Sequence, residues 1–507
     1  MMNRKRILSL VLALILIVSL LAGCGQPKDG GAATSTSKDT LNVIVGSDVS
    51  QFNPHVTNTF TDIMAIYQIY ERLVYYIDGE VVPGLAESWT VSDDNKTMVF
   101  TLREGAKFHN GQECTSEDVV YSLERNLERP NAASSRALYE SITAIDPSTV
   151  EIKLTVGLES IFSSLSSPGM SIVCKSYVEE KGDDAFLEPV GTGAYKLTEW
   201  KKGSSIKMEA FEDYGEPVPI KYLNFNIVAD TSNALISLET GEADFIISMP
   251  ESNYPLVKDN PDLVLQTAPS HSSTTLVLNI RNGVLSNENL RKAIAYGIDR
   301  EAIRTAAYEG TGTLATGSFP DFLYYSGTDY GFEYDVEKAK EYMAASGVEP
   351  GVEITIKTSD VYGDVVPQMI QNNLAEIGIT IKIESLEMSA HSMDYLNGDF
   401  EIIYAGGSTI WPDQAYNLYN SYYWPDSTWS FSSPDDDRFN AQLEAMRQEI
   451  DPEKKTAMVD EMMSQLHELC NEIPLITKDA NIVYRNGLKN TYVDPNGMFY
   501  CFKDFSW

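Results

Sequence analysis

Histidine and cysteine are scarce in this chain, which has five of each among 507 residues. A metal site built from these side chains therefore has few possible ligands. His467 begins a His-Glu pair of the kind found on zinc-binding helices, but Asn471 stands where the second histidine would be needed. The sequence predicts no metal ion and no cofactor. The histidines are His55, His109, His271, His391 and His467.

Sequence motifs of catalysis are also lacking. There is no Gly-x-Ser-x-Gly nucleophile turn and no Gly-x-x-x-x-Gly-Lys-[Ser/Thr] phosphate loop. Gly191–Lys196 begins like a dinucleotide-binding loop, yet Lys196 occupies the position of its last glycine. With 73 acidic residues, chance carboxylate pairs are common, so a glycoside hydrolase is not excluded. The sequence predicts a protein that is not an enzyme, with a secreted hydrolase as an alternative.

Basic residues are few relative to acidic ones. The chain has 38 Lys and Arg against 73 Asp and Glu, which gives a formal charge of -35. Such a surface repels nucleic acid and anionic lipid head groups, so nucleic-acid binding is not expected. A hydrophobic fraction of 43% supplies ample core for a globular protein. A chain of this length is expected to form about three domains.

The one long apolar run lies at the N-terminus. It spans Ile7–Leu21, follows Arg4–Arg6, and is too short and wrongly flanked for a membrane span. The following Leu21–Cys24 resembles the bacterial lipoprotein box, which implies a signal peptide over 1–23 and a lipid on Cys24. Residues 24–39 are rich in Gly, Ser and Thr, as expected for a flexible tether. An ordinary secretory signal is the alternative.

Four other cysteines remain, and none forms a close Cys-x-x-Cys pair. An exported chain permits disulfides, but spacing does not assign one, and we expect four free or buried thiols. These residues are Cys114, Cys174, Cys470 and Cys501.

Helix and strand patterns alternate along the second half of the chain. Asp335 to Gly347 has the N-cap and C-cap residues of a helix, and a second helix is expected from Pro367 to Gly378. Ile379, Ile381 and Ile383 then alternate as a strand, which is typical of an α/β lobe. We also expect helices over 62–73 and 290–298, and another from Asp451 that Pro474 ends.

One stretch in the first half carries a more specific pattern. Ala86–Leu102 alternates as a hairpin, and Thr115 with Asp118 forms a capping box ahead of an apolar helix face. The residues of Val82–Arg125, from Pro-Gly-Leu-Ala-Glu-Ser-Trp to Ser-Glu-Asp-Val-Val-Tyr-Ser-Leu, resemble the signature of the family 5 extracellular solute-binding proteins. These proteins are the peptide-binding receptors of ABC importers. The turn at Phe52–His55 is similar to the family's Asn-Pro loop, which lies near the binding cleft.

This resemblance implies an α/β, two-lobed periplasmic-binding-protein-like fold (type II, cluster C), with an extra insert domain and a hinge between the lobes. Residues 40–75, 189–272 and 480–507 would form lobe I, and 76–188 would be its insert domain. Residues 273–479 would form lobe II. The chain would cross between the lobes near Ser272 and Asp479 and act there as a hinge.

An aromatic-rich segment follows the predicted strand Asp399–Gly407. Loops just beyond the carboxyl ends of strands are where α/β lobes bind ligands, and aromatic side chains give them contact area. The resemblance implies that Asp413 grips the α-ammonium group of a peptide. Tyr404, Trp411, Tyr416 and Asn53 are the other candidate ligand-binding residues. Alternatively, the segment is a surface loop whose aromatics seal a small core.

A departure from the family concerns the ligand carboxylate. Dipeptide-binding relatives carry an arginine just ahead of the helix that begins near Pro367, and this chain has Asp364 in that region. This favours longer peptides, whose carboxylate is held elsewhere or left free, or a ligand that is not a peptide.

The sequence as a whole predicts the substrate-binding lipoprotein of an ABC importer that captures oligopeptides. We expect a monomer that delivers its ligand to permease subunits and is anchored through Cys24 to the extracytoplasmic face of the cell membrane. A Gram-positive cell surface is favoured over a periplasm. The alternatives are a receptor for another solute, such as an oligosaccharide or a metal chelate, and a peptide-sensing lipoprotein without transport.

Overall fold

The computed structural model describes residues 38–507, apart from 57–58, 78–79, 130–135, 137, 156, 158–160, 282, 318, 320–323, 409–413 and 424–430. The predicted signal peptide and Cys24 lie outside the described residues. Within them, no helix combines the length and apolarity that crossing a bilayer requires.

The strands of the described chain form one large sheet, a four-stranded sheet and a two-stranded hairpin. In chain order they are β1 Thr40–Val45, β2 Val74–Ile77, β3 Glu80–Pro83, β4 Ala86–Val91, β5 Thr97–Leu102, β6 Tyr139–Asp146, β7 Thr149–Leu154, β8 Tyr195–Lys201, β9 Ser205–Ala210, β10 Tyr222–Ile227, β11 Phe245–Ile247, β12 Leu263–Leu278, β13 Thr313–Leu314, β14 Val352–Ser359, β15 Ile379–Leu386, β16 Ile402–Ser408 and β17 Glu472–Arg485.

The α-helices of the same residues alternate with these strands. They are α1 Phe60–Ile69, α2 Ser116–Leu127, α3 Ile161–Leu165, α4 Lys175–Lys181, α5 Thr231–Thr240, α6 Tyr254–Lys258, α7 Glu288–Tyr296, α8 Arg300–Ala307, α9 Val336–Ser346, α10 Val365–Ala375, α11 Met388–Asn397, α12 Gln414–Tyr422, α13 Asp437–Gln448 and α14 Pro452–Leu469.

The large sheet has two halves joined by long strands. Its order is β15-β14-β16-β12-β17-β11-β1-β10-β9-β8, with β13 beside β17. β1 pairs in parallel with β10 and β11 in one half, and β14 pairs in parallel with β15 and β16 in the other. Each half packs its own buried hydrophobic cluster. The α/β, two-lobed architecture predicted from the sequence is therefore confirmed.

A separate cluster of buried side chains runs from Leu73 to Cys174 and packs the four-stranded sheet β4-β5-β7-β6 against α2. It falls mainly within the predicted insert. The exact domain boundaries remain a prediction.

The two long strands β12 and β17 pair with each other through both lobes. Their register shifts between Pro269 and Ser273, which marks an irregularity in the ladder. The predicted crossing points, Ser272 and Asp479, lie at this irregularity. The lobes are therefore linked by two neighbouring antiparallel strands.

Local signals at helix starts agree with the structure. Asp118 Oδ2 accepts a hydrogen bond of 2.9 Å from the backbone N–H of Thr115, as the capping box predicts. The side chain of Asp335 accepts from Lys338 N at 3.0 Å, and Gly347 ends that helix in the left-handed conformation. The predicted hairpin over 86–102 is present as β4 and β5.

Three predicted helix boundaries were wrong. The helix over 62–73 ends at Ile69, because Tyr70 turns extended (φ -119°, ψ 147°) ahead of β2. The helix over 290–298 ends at Tyr296, and Asp299 caps a new one by accepting from Ala302 N at 2.8 Å. The helix from Asp451 ends at Leu469, with Cys470 left-handed, and Pro474 lies in β17 beside a register shift. A proline is tolerated in a strand at such an irregularity.

Candidate functional site

The carboxyl ends of the parallel strands indicate where a ligand would bind. In an open α/β sheet, ligands bind just outside these ends. In the first lobe β1, β10 and β11 end at Val45, Ile227 and Ile247, and in the second lobe β14 and β16 end at Ser359 and Ser408. Asn53 follows the end of β1, and Tyr404 lies on β16. The candidate site is the space bordered by these strand ends and the crossing strands.

Asn53 holds the loop that follows β1. It is buried, and its Oδ1 accepts hydrogen bonds from His55 N at 3.1 Å and from Arg125 Nη1 at 3.2 Å. Its side-chain carbonyl is therefore engaged within the protein. Asn53 would act on a ligand mainly by fixing the shape of this loop.

His55 is locked into the same loop as a neutral imidazole. Arg125 Nη1 donates to its Nδ1 at 2.6 Å, and its Nε2 donates to Ser171 O at 3.1 Å, which leaves no place for a second ring proton. Burial, and secondly the charge of Arg125, together lower the pKa of His55 to about 3. The loop is thus built around an uncharged histidine held by an arginine.

Tyr404 lies in the core of the second lobe and is 2% exposed. Its hydroxyl is 2.8 Å from that of Tyr308, which also reaches Thr274 Oγ1 at 3.4 Å on β12. Burial raises the pKa of the Tyr404 phenol, so it stays neutral. In this conformation Tyr404 connects β16 to Tyr308.

The remaining predicted ligand residues fall in the aromatic-rich segment. Trp411 and Asp413 lie outside the described residues. Tyr416 is part of α12, but its side chain is not among those described. Their assignment to the site stays a prediction.

Other aromatic side chains of this segment pack into a hydrophobic core, as the alternative interpretation of the segment predicts. Tyr422 is fully buried and donates to Glu472 Oε1 at 2.7 Å, and Tyr419 stacks on Tyr423 with ring centroids 4.7 Å apart. They belong to a hydrophobic cluster that α12 shares with α13 and α14. The segment therefore combines packing residues with the candidate binding residues.

A cavity of about 310 Å³ opens beside Asn53. Its apolar wall includes Val56, Leu187 and Trp200, and the first two are 41% and 61% exposed. Asp48 Oδ1 accepts from Trp200 Nε1 at 3.0 Å and fixes that ring. Arg125, Asp183 and Lys202 also line the cavity, so it offers both apolar surface and charged groups to a ligand.

Sequence reasoning missed Ser248, which directly follows β11 at the same edge. Its φ of +63° is left-handed, which is uncommon for a residue with a side chain and is often associated with functional sites. Its N–H donates to Asn481 O on β17 at 3.1 Å. No sequence pattern marks such a residue, since the strain depends on the crossing strand.

Asp364 is placed at the start of α10, ahead of Pro367. Its Oδ1 is shielded from solvent and has no hydrogen-bond partner in the described part of the chain.

A larger cavity of about 450 Å³ lies between α1, the β2–β3 hairpin and the C-terminal residues. Arg103 and Glu71 form a bidentate ion pair on its wall, with distances of 3.1 and 2.9 Å. This pair joins the insert region to the first lobe. We assign it a structural role.

His467, the candidate start of a zinc-binding helix, is packed within the second lobe. His467 Nδ1 lies 2.8 Å from Tyr330 O, and its ring stacks on Phe332 at 4.5 Å. Among the described residues, no group of three or more His, Cys, Asp or Glu side chains is arranged to hold a metal ion. Cys114, Cys174, Cys470 and Cys501 are free thiols, as expected.

Comparison with family models identifies the family of this chain. The model "Bacterial extracellular solute-binding proteins, family 5 Middle" matches residues 80–429. Similar proteins include the glutathione-binding protein GsiB of Salmonella typhi, which is 27% identical and aligns over 94% of this chain and 97% of the relative. GsiB of Escherichia coli O157:H7 is 27% identical over 96% of this chain and 97% of the relative.

Solved structures with the same architecture cover nearly the whole chain. The binding protein AgaA from A. tumefaciens R10, in complex with agropinic acid, has a TM-score of 0.78 at 27% identity, covering 92% of this chain and 97% of that one. The ABC transporter substrate-binding protein CtaP from Listeria monocytogenes has a TM-score of 0.83 at 22% identity, with 92% and 99% covered. At 22% identity, the similarity to CtaP shows a shared fold and nothing more.

Proposed function

Because this chain belongs to the family 5 bacterial extracellular solute-binding proteins, we propose that it is the substrate-binding lipoprotein of an ABC importer for oligopeptides. The observation that carries the proposal is the pair of crossing strands, β12 and β17, which link two α/β lobes and are interrupted between Pro269 and Ser273. Two lobes joined in this way can close on a ligand by bending at the crossing. Ligand binding favours closure only as far as the closed form binds more tightly.

In the proposed mechanism, the ligand lies between the carboxyl ends of the strands of both lobes. Asp413 binds the α-ammonium group, and Trp411 and Tyr416 cover the peptide. Tyr404 supports this side from within the second lobe. Asn53 shapes the loop on the first lobe, and the neighbouring cavity accepts an apolar side chain. Lobe I is 40–75, 189–272 and 480–507, its insert is 76–188, and lobe II is 273–479.

The preference for peptides is supported by similarity to proteins named for binding glutathione, a peptide. The second candidate ligand is a small solute other than a peptide. AgaA, which is also 27% identical to this chain, was solved in complex with agropinic acid. An oligosaccharide or a metal chelate belongs to this second class. A peptide-sensing lipoprotein without transport would share the binding step and lack the permease.

We further propose that the chain is exported by the signal peptide 1–23 and anchored through a lipid on Cys24. Residues 24–39 would tether the folded lobes to the extracytoplasmic face of the membrane. The protein would act as a monomer, without cofactor or catalysis, and present its ligand to permease subunits. A Gram-positive surface is favoured.

Native mass spectrometry tests the binding function. Residues 25–507 are purified without denaturation, and bound small molecules are identified before and after incubation with a pool of three- to six-residue peptides. We expect retention of intact peptides without cleavage. Retention of a sugar or chelate alone would contradict the peptide assignment, and release of shortened peptides would contradict the absence of catalysis.

A further inference from the structure

Between the lobes, a short stretch of β17 has no neighbouring strand on one of its two edges in the described structure. On that side β17 pairs with β13 at Ile476–Thr477 and with β11 at Ile482–Tyr484. Residues 478–480 lie between these pairings and have no strand beside them there in the described structure. Lys478 therefore sits where β17 leaves the second lobe and enters the first.

Loops from both lobes border this opening. Gly312 N, in the loop between α8 and β13, donates to Asp479 Oδ2 at 3.2 Å. Ser248, from the first lobe, meets the strand at Asn481. Lys478 is thus flanked by elements of both lobes, at the carboxyl-end edge where a ligand would lie.

Among the described residues, no carboxylate forms an ion pair with the ammonium group of Lys478. Lys478 is half-buried, and its Nζ has no hydrogen bond or ion pair with any described residue; it lies 5.5 Å from the ring centroid of Tyr308. The Asp479 carboxylate does not neutralise it, because neighbouring strand residues point to opposite faces and Asp479 is engaged by Gly312. By contrast, Lys357 is also half-buried but forms an ion pair, with its Nζ 2.6 Å from Asp394 Oδ2.

Partial burial of an unpaired cation is unfavourable, and an anion in the cleft would relieve it. We propose that Lys478 binds an acidic group of the ligand, which on a peptide is the C-terminal carboxylate. This rests on the proposed function and narrows it to solutes that carry a carboxylate.

The test compares acid and amide forms of the same ligands. A pool of three- to six-residue peptides is prepared with free C-termini and, separately, as C-terminal amides. Dissociation constants are measured for the wild type, Lys478→Gln, Lys478→Arg and the control Lys489→Gln. Lys489 is exposed, and its hydrogen bonds with Ser506 are made by its backbone. Thermal unfolding without ligand checks that each variant folds.

We expect the wild type and Lys489→Gln to prefer acids over amides by roughly 10- to 100-fold, the range of a hydrogen bond to a charged group. Lys478→Gln should remove most of this preference by weakening acids alone, and Lys478→Arg should keep much of it. Equal binding of acids and amides by the wild type would overturn the role of Lys478 and leave peptide capture intact. An unchanged acid preference in Lys478→Gln would also overturn it. If the wild type binds no peptide, both proposals fail.

Discussion

The neutral state of His55 makes stability depend on pH in a way that can be calculated. The folded protein holds the pKa of His55 at about 3, first through burial and then through the charge of Arg125. In the unfolded chain, histidine titrates near about 6.5. Between these values the unfolded state binds a proton that the folded state does not, so stability is complete above about pH 6.5 and falls as the pH decreases.

The magnitude follows from the two pKa values. Protonation of the unfolded histidine lowers the free energy of unfolding by roughly 0.8 kcal/mol at pH 6.0 and roughly 2.7 kcal/mol at pH 4.5. His55→Gln removes this contribution, because glutamine does not titrate. The loss of stability between these pH values should therefore be about 2 kcal/mol smaller in the variant than in the wild type.

Urea unfolding at pH 7.5, 6.0 and 4.5 measures the difference. Arg125→Met provides a second check, because removing the neighbouring charge raises the folded pKa of His55 and should also reduce the pH dependence. The difference between wild type and variant cancels the titration of carboxylates that both proteins share. A His55→Gln protein that loses stability with decreasing pH as steeply as the wild type would refute a neutral, buried His55.

Three further changes probe the site, the anchor and the second lobe. Asp413→Asn should weaken peptides with free N-termini roughly 10-fold or more and leave N-acetylated peptides little changed in calorimetric titration; equal losses would remove its assigned role. Cys24→Ser should release the protein from membranes into the soluble fraction, and continued labelling by a fatty-acid analogue would argue against the anchor. Arg291 is buried and its Nη1 and Nη2 donate to Leu285 O at 2.9 Å and Leu469 O at 2.6 Å. Arg291→Met should lower the free energy of unfolding by roughly 3 kcal/mol. Arg291→Lys should recover part of this loss. A loss below about 1 kcal/mol in Arg291→Met would show that water satisfies these carbonyl groups.

Features governed by neighbours in sequence were predictable. The caps of α2, α9 and α14 depend on Thr115, Asp335 and Asp451, each of which acts within three residues of its partner. The alternation of β4 and β5 likewise needs only adjacent residues. Boundaries failed where the next element decides the conformation. Tyr70 shows this, because its apolar neighbours suit a helix and yet β2 requires an extended chain.

In the candidate site, the features that the sequence predicts are more clearly separated from those that it does not predict. Asn53 was proposed because its turn resembles the family's Asn-Pro loop, but one of its two hydrogen bonds comes from Arg125, far along the sequence. Tyr404 was placed at the end of a strand, and its burial depends on contact with Tyr308, which no periodicity reveals. Sequence patterns and the family resemblance thus named candidate segments, while the direction of each side chain depends on contacts between distant segments.

The crossing strands explain why the centre of the site was the hardest part to predict. Residues 270–275 of β12 are serine, histidine and threonine, which carry no strand-like alternation of apolar side chains. The strand begins at Leu263 and passes through this polar stretch before its apolar end at Leu276–Leu278. A stretch that leaves one core before entering the next has no continuous apolar face to bury, so polarity is expected there. The role proposed for Lys478 rests on the same position, because β17 has no neighbouring strand at residues 478–480 on that side in the described structure.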